Sequence, residues 1–270
     1  MEQNNKLIKA MGDFSLQNKT ALITGGGSGI GRAIAETFAS NQAEVHIVDI
    51  DKEAALAALK AIESQGGKAH IHHLDITDYD QIKTLVQDIN KKQPVELLIN
   101  NAGVAHVGTV ETTDESAMDK LYAVNIKGVF NCTKACIPAM KQMRKGVILN
   151  LGSIAGTVGI KDRFAYSMTK GAVLAMTYSI AKDYISYNIR CNSISPARVH
   201  TPFVDGFIAK NYPGKEKEQF EKLSQTQPIG RMGTPHEIAQ LALFLCSEQA
   251  SFITGTDYPI DGGFIKLNGN

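Results

Sequence analysis

A chain of 270 residues with 43% hydrophobic and 20% charged residues, 24 Gly, 8 Pro and no Trp has the composition of a packed globular protein, which excludes a fibrous or disordered one. Twenty-eight Lys and Arg against 27 Asp and Glu give a formal charge of +1, so no overall field gathers nucleic acid or an anionic membrane. The four cysteines, at 132, 136, 191 and 246, form no CxxC pair and no disulfide framework, no apolar leader precedes the first strand, and no run reaches membrane-spanning length. The expectation is a soluble, cytoplasmic protein with reduced thiols that meets neither nucleic acid nor membrane.

In chain order, a short N-terminal extension (1–13) leads to a strand at Thr20–Thr24 and a helix at Ile30–Ser40 with apolar residues at Ile30, Ala33, Ile34, Ala35 and Phe38. The cycle repeats: strand Glu44–Asp49, helix Lys52–Gln65 ended by Gly66-Gly67, strand Ala69–Leu74, helix Asp80–Lys91 and strand Val95–Asn100, apolar on both faces. Then come a helix over Ser116–Met143, a strand at Gly146–Leu151, a long helix at Ala165–Tyr184, a strand at Ile189–Ile194, a helix at His236–Leu245 and a last strand near Tyr258–Ile260. Strands alternating with helices and joined without a long linker predict one α/β domain over residues 1–270, a doubly wound parallel sheet with helices on both faces. The stretch 201–227, charged and broken by Pro213-Gly214, reads as an irregular substrate loop.

Gly25-Gly26-Gly27-Ser28-Gly29-Ile30-Gly31 follows a strand and opens a helix. Glycines there let the backbone approach a pyrophosphate, whose charge meets the unpaired N–H groups of the helix N-terminus. The spacing is GxxxGxG, built on Gly25, Gly29 and Gly31, rather than GxGxxG. Asp49, at the end of the second strand, can accept hydrogen bonds from both ribose hydroxyls of an adenosine and repels a 2′-phosphate, which predicts NAD rather than NADP. The only nearby cation is Lys52. Asp75, after the third strand and followed by Ile76, is placed either to meet the adenine or to cap a turn.

The ordered set of Thr24–Gly31, Asn100-Asn101-Ala102-Gly103, Val124-Asn125, Ser153, Tyr166-Ser167-Met168-Thr169-Lys170 and Asp261-Gly262-Gly263 resembles the short-chain dehydrogenase/reductase family, over roughly residues 14–266. That resemblance implies a Rossmann fold, a nicotinamide cofactor, a homo-oligomer (commonly a tetramer) and a catalytic set of Asn125, Ser153, Tyr166 and Lys170. Tyr-x-x-x-Lys occurs three times, at 79/83, 166/170 and 178/182; only Tyr166/Lys170 follows a strand ending in serine and opens a long helix.

Oxidising a secondary alcohol needs a base, and an unperturbed tyrosine, with a pKa near 10, is a poor one at neutral pH. Lys170, one turn along, is expected to favour the phenolate. Ser153 is expected to hydrogen-bond the substrate oxygen, and Asn125 resembles the family's helix-bending asparagine, which holds a water linked to the lysine. The resemblance also assigns Gly25, Ser28, Gly29, Ile30, Gly31, Asp49, Asp75, Ile76, Asn101, Ala102, Gly103, Tyr166, Lys170, Val199 and Thr201 to the cofactor. Where the family commonly has Pro-Gly, this chain has Pro196-Ala197, followed by Arg198 and His200.

His106, Arg163, Arg198 and His200 gather basic groups around Ser153 and Tyr166 and point to an anionic substrate, since arginine clamps a carboxylate bidentately. A narrower likeness agrees: 102–109 and 163–166 resemble the subgroup that holds cytosolic 3-hydroxybutyrate and keto-deoxy sugar acid dehydrogenases. The resulting expectation is an NAD-dependent oxidoreductase acting on a sugar acid or hydroxy acid. The alternatives are an NADPH-dependent 3-oxoacyl thioester reductase and, from another class, a nucleotide-binding protein without catalysis. His70-Ile71-His72-His73 places 70 and 72 on one strand face and 73 on the other; with no Cys or further His in sequence to complete a site, no metal is expected. Cys132 and Cys136, one helical turn apart, read as buried small hydrophobes.

Overall fold

Seven parallel strands form one sheet in the order β3-β2-β1-β4-β5-β6-β7 in a computed structural model that describes residues 14–267. The expected extension 1–13 lies outside the described residues. The strands are β1 (Thr20–Thr24), β2 (Glu44–Asp49), β3 (Lys68–His73), β4 (Val95–Asn100), β5 (Gly146–Leu151), β6 (Ile189–Pro196) and β7 (Asp257–Ile260). β1, β4 and β5 are buried along their whole length, which is why their sequences read as continuous apolar runs instead of alternating ones. Successive residues still point to opposite layers. Leu97 and Ile99 pack with Ile34, Phe38 and Ala242, whereas Leu98 joins Leu22, Ile82, Val86, Cys132 and Cys136. Burying each such leucine or isoleucine contributes about 1.5–3 kcal/mol.

The helices covering the first layer include α1 (Gly29–Ser40), α2 (Lys52–Ser64) and, from later in the chain, Pro235–Cys246; the second layer is covered by α3 (Tyr79–Asn90) and the helices that follow β4 and β5. Local chemistry sets their starts. Asp51 and Asp78 cap α2 and α3 by accepting the N–H of Ala54 and Gln81. The predicted single helix over 116–143 is two α-helices, α4 (Glu115–Leu121) and α5 (Val129–Met143), joined by a π-helical turn, Tyr122–Gly128. The apolar period does not reveal a π turn, because an insertion of this kind widens the helix without ending it.

α6 (Phe164–Tyr184) matches its expected span. The stretch 201–227 does not match the irregular loop expected of it. It forms α7 (Pro202–Asn211) and α8 (Glu216–Ser224), separated by a turn in which Gly214 takes φ +79°. Ile208, Leu223 and Met232 make a small core of their own with Val204, Phe207 and Phe220, while the lysines and glutamates that dominated the composition stay exposed. α9 (Pro235–Cys246) opens with a capping box of Thr234 and Glu237 and with Pro235 at its first position, and α10 (Phe264–Leu267) ends the described chain. Among the described residues no helix is long and apolar enough to cross a membrane.

Candidate active site

The strand order reverses between β1 and β4, and the loops leaving the carboxyl ends of the strands splay apart there, as in open α/β sheets generally. They enclose a cleft of about 830 Å³. Its lining includes Gly25, Ser28, Gly29 and Ile30 after β1, Asp49 after β2, Asp75 and Ile76 after β3, Asn101, Ala102 and Gly103 after β4, Ser153 after β5, Tyr166 and Lys170 on α6, and Arg198, Val199 and Thr201 after β6. The cleft therefore gathers all the expected cofactor positions except Gly31.

Gly31 has a different role. A Cβ there would lie 2.1 Å from the Gly25 carbonyl oxygen and 2.4 Å from Asn101 Nδ2, so only glycine lets α1 press against β1 and β4. Asn101 fastens the same turn: Nδ2 donates to the carbonyls of Thr24 and Gly25, both at 3.0 Å, and the Asn101 and Ala102 N–H groups donate to Thr24 Oγ1, each at 3.0 Å. Gly25 and Gly29 take φ of +64° and +52°. Ser28 makes no side-chain cap on α1 and the first turn carries no acid, which leaves the positive end of the helix facing the cleft. These features fit a pyrophosphate.

The half-buried Asp49 carboxylate is held in place by its own turn: Oδ2 accepts the Gly27 N–H at 2.8 Å and Oδ1 the Asp51 N–H at 3.0 Å. Asp75 lines the cleft and also makes a turn, accepting the Thr77 N–H at 2.8 Å. The cap of α3 falls to Asp78 instead.

Deeper in the cleft, Lys170 is buried and donates from Nζ to the Leu151 carbonyl at 2.6 Å; burial brings its pKa down to about 8. Its ammonium stands 5.8 Å from the centre of the Tyr166 ring. Burial pushes the Tyr166 phenol up, opposed by a hydrogen bond with Ser153 and by the charge of Arg163. Within the protein the groups that oppose burial at Tyr166 are Ser153 and Arg163, while Lys170 stands over the ring with its ammonium on the Leu151 carbonyl.

Asn125 sits in the π turn. Its side chain brackets Val104, accepting the N–H at 2.8 Å and donating to the carbonyl at 2.9 Å, and it donates to Thr169 Oγ1 at 3.0 Å. Thr169 in turn donates to the Tyr166 carbonyl at 2.8 Å, so the bend is tied to the helix that carries Tyr166 and Lys170. Gly128, closing the turn, has no room for a Cβ, which would lie 2.4 Å from Ile76 Cδ1. Of the other Tyr-x-x-x-Lys pairs, Tyr178 and Lys182 are exposed, and neither Tyr79 nor Lys83 reaches the cleft.

Of the four basic groups, Arg163 and Arg198 line the cleft, and each is close enough for the Arg163 charge to help burial lower the Arg198 pKa. Arg163 Nη1 donates to the His106 carbonyl at 3.1 Å and Arg198 Nε to Thr226 Oγ1 at 3.0 Å. Among the described residues no carboxylate makes an ion pair with either. His106 and His200 do not line the cleft: His200 is paired with Asp205 at 2.8 Å and packed edge-on against Phe220. Ala197, where the family commonly has glycine, avoids positive φ and donates its N–H to the Ile260 carbonyl at 3.2 Å. Gln227, buried with Oε1 unpaired, and Met232 also reach the cleft. Nothing in the local pattern of 201–232 singles them out; only the docking of α7 and α8 brings them there.

Residues 25–265 match a family model described as enoyl-(acyl carrier protein) reductase. The chain is 37% identical over 250 residues to the 2-keto-3-deoxy-L-fuconate dehydrogenase of Xanthomonas campestris, covering 92% of this chain and 81% of that one. It is 38% identical over 251 residues to the 3-oxoacyl-[acyl-carrier-protein] reductase of Thermotoga maritima, covering 93% and 99%. The fold superposes at TM-score 0.90, with 27% identity, on L-sorbose reductase from Gluconobacter frateurii complexed with NADPH and L-sorbose, covering 94% of this chain and 99% of that one.

Proposed function

The chain belongs to the short-chain dehydrogenase/reductase family, oxidoreductases acting on CH–OH groups, and from that premise we propose that it interconverts a secondary alcohol and ketone of a small carboxylate-bearing molecule with NAD. The observation that carries the substrate class is the pair Arg163 and Arg198: two guanidinium groups without an acidic partner among the described residues, in the same cleft as Ser153 and Tyr166. Bringing two like charges together in a partly desolvated cleft is unfavourable, and a substrate carboxylate relieves that repulsion while taking bidentate hydrogen bonds. Asp49 supports NAD, since a half-buried carboxylate held by the Gly27 turn accepts ribose hydroxyls and disfavours a 2′-phosphate. The keto-deoxy sugar acid dehydrogenase among the relatives is consistent with the acid, while the acyl-carrier reductase and the NADPH-bound reductase mark the competing outcome.

In this reading a bound nicotinamide supplies the hydride acceptor or donor. Ser153 donates to the substrate oxygen and holds the Tyr166 hydroxyl beside it. Tyr166 takes the hydroxyl proton during oxidation and returns it during reduction. Lys170 keeps a positive charge under the ring, and Asn125, through Thr169, fixes the helix turn from which both act.

A spectrophotometric panel at 340 nm tests the proposal, with hydroxy acids, sugar acids, polyols, simple alcohols and 3-oxoacyl thioesters, each with the NAD and the NADP couple. Turnover with NAD on acid-bearing substrates, with KM raised tenfold or more in Arg163→Gln or Arg198→Gln and unchanged for neutral alcohols, is the expected result. Turnover confined to NADPH and thioesters would replace it with the acyl reductase reading.

A further inference from the structure

The register of β2 on β3 gathers histidines that the sequence keeps apart. His46 pairs with His70 and Val48 with His72, so His46, His70, His72 and Glu44 lie on one face of the two strands, toward α3. The sequence reading lacked a third ligand for His70 and His72; β2 supplies it, and supplies a carboxylate as well. The His46 ring stacks on His70, centroids 4.7 Å apart, and on His72 at 5.2 Å.

The nitrogens and the carboxylate converge. Glu44 Oε1 lies 2.8 Å from His70 Nε2 and 4.0 Å from His46 Nε2, and one ligand atom from each of the three falls within 4.8 Å of the other two. Donor atoms around a tetrahedral zinc, with bonds of about 2.0–2.2 Å, stand roughly 3.3 Å apart, so small rotations of Glu44 and His70 close the site. The other nitrogen of His46, Nδ1, is 2.9 Å from His72 Nε2. A ligating histidine is commonly held through its second nitrogen by an acceptor, and here the neutral His72 ring takes that place, fixing the His46 ring.

The cluster borders a cavity of about 290 Å³ distinct from the catalytic cleft, and the charged groups that face it from the other side are Asp88 on α3 and Lys92 just past its end. Thr20, from β1, lines the same cavity; its hydroxyl is fully buried and has no hydrogen-bond partner among the described residues. His70 is about half exposed, which gives an ion a path in and leaves room for a water ligand.

We infer that Glu44, His46 and His70 form a binding site for a divalent transition metal, with zinc as the fitting ion and His72 orienting the His46 ring. Two imidazoles and one carboxylate suit zinc, copper or nickel and not magnesium or calcium, which take all-oxygen shells. The site lies near the amino ends of β2 and β3, away from the carboxyl ends that carry Asp49 and Asp75. Its effect is therefore to staple the edge strand β3 to β2, and it takes no part in hydride transfer.

The test uses full-length protein purified without a histidine tag, stripped with EDTA and titrated with ZnCl2. One zinc per chain by plasma mass spectrometry after desalting, and a zinc-dependent rise in Tm, are the expected results. Glu44→Gln and His70→Gln are expected to weaken zinc binding at least tenfold, and His72→Ala by about 10–100-fold, each with an unchanged far-UV spectrum. Zinc well below one per chain, or binding that survives His70→Gln undiminished, would overturn the site. Cobalt substitution of the wild type gives a readout that needs no variant: intense visible absorption from a four-coordinate ion supports the assignment, and the weak spectrum of a six-coordinate one refutes it.

Discussion

Replacing Asp49 by asparagine isolates the charge proposed to separate the two dinucleotides. The carboxylate is half-buried at the end of β2 and pinned by the Gly27 and Asp51 amides, so it cannot swing away from a nucleotide ribose without breaking two hydrogen bonds. A unit-charge pair at 4 Å costs about 1 kcal/mol in water and about 4 kcal/mol at the effective dielectric of a protein surface. A 2′-phosphate carries about −1.5 to −2. The cleft is open to solvent, so the lower half of that range applies, roughly 2–4 kcal/mol against NADP. Hydrogen bonds from ribose hydroxyls to a charged acceptor add about 1.5–3 kcal/mol in favour of NAD. Together these correspond to a preference of about 10³-fold or more in kcat/KM. Asp49→Asn keeps an acceptor oxygen and removes the charge, so the NADP value is expected to rise at least tenfold while the NAD value falls. The assay is initial-rate kcat/KM for both cofactors in wild type and variant at low and at high salt, with Tm as a control for the lost amide contact. Because the repulsion is screened, the wild-type preference is expected to shrink as salt rises. A wild type that prefers NADP, or a ratio that does not move in Asp49→Asn, would refute the reasoning.

Three further outcomes follow from the cleft. Tyr166→Phe removes the proton-carrying hydroxyl and leaves the ring, so turnover is expected to fall about 10²–10⁴-fold while NADH binding, read by fluorescence, is retained; wild-type turnover would exclude Tyr166 as the acid–base group. Lys170 is charged in both states below pH 8, and between about 8 and 10.5 the unfolded chain holds a proton that the native chain has released, so this group's contribution to stability rises with pH across that window, by roughly 3 kcal/mol. Urea unfolding of wild type and Lys170→Met at pH 7 and pH 10 is expected to show the wild type gaining on the variant, and parallel behaviour would count against a buried, down-shifted lysine. Gly31→Ala drives a methyl group against the Gly25 carbonyl and the Asn101 amide, with an expected loss of about 1–3 kcal/mol or more and a raised KM for the dinucleotide; an unchanged Tm and KM would show that the turn has slack.

β1, β4 and β5 could be read from the sequence because they are buried on both faces. Residues 20–24, 95–100 and 146–151 have no polar face to confuse them, and the helices between them begin at capping residues such as Asp51 and Asp78. Features that depend on averaging fared worse. The polar content of 201–227 concealed α7 and α8, whose few apolar residues, Ile208, Phe220 and Leu223, find each other only once the turn at Gly214 is made. The π turn at 122–128 left no mark on the apolar period, although Asn125 and Gly128 inside it are the residues that need it.

The proposed catalytic groups and the histidine cluster mark the two ends of this contrast. Ser153, Tyr166 and Lys170 were legible because each sits at a fixed offset from one strand or one helix start, so local order alone brings them together. His46 and His70 have no such relation. Their meeting depends on β3 pairing with β2 in one register, and a shift of β3 by a single residue would turn His70 and His72 to the opposite face. Arg163 and Arg198 likewise come from different crossovers, and their lack of an acidic partner among the described residues is visible only when the loops after β5 and β6 are folded side by side. A site whose members are local in sequence announces its chemistry in the sequence. One assembled across strands, as the proposed metal site is, announces it only through the register.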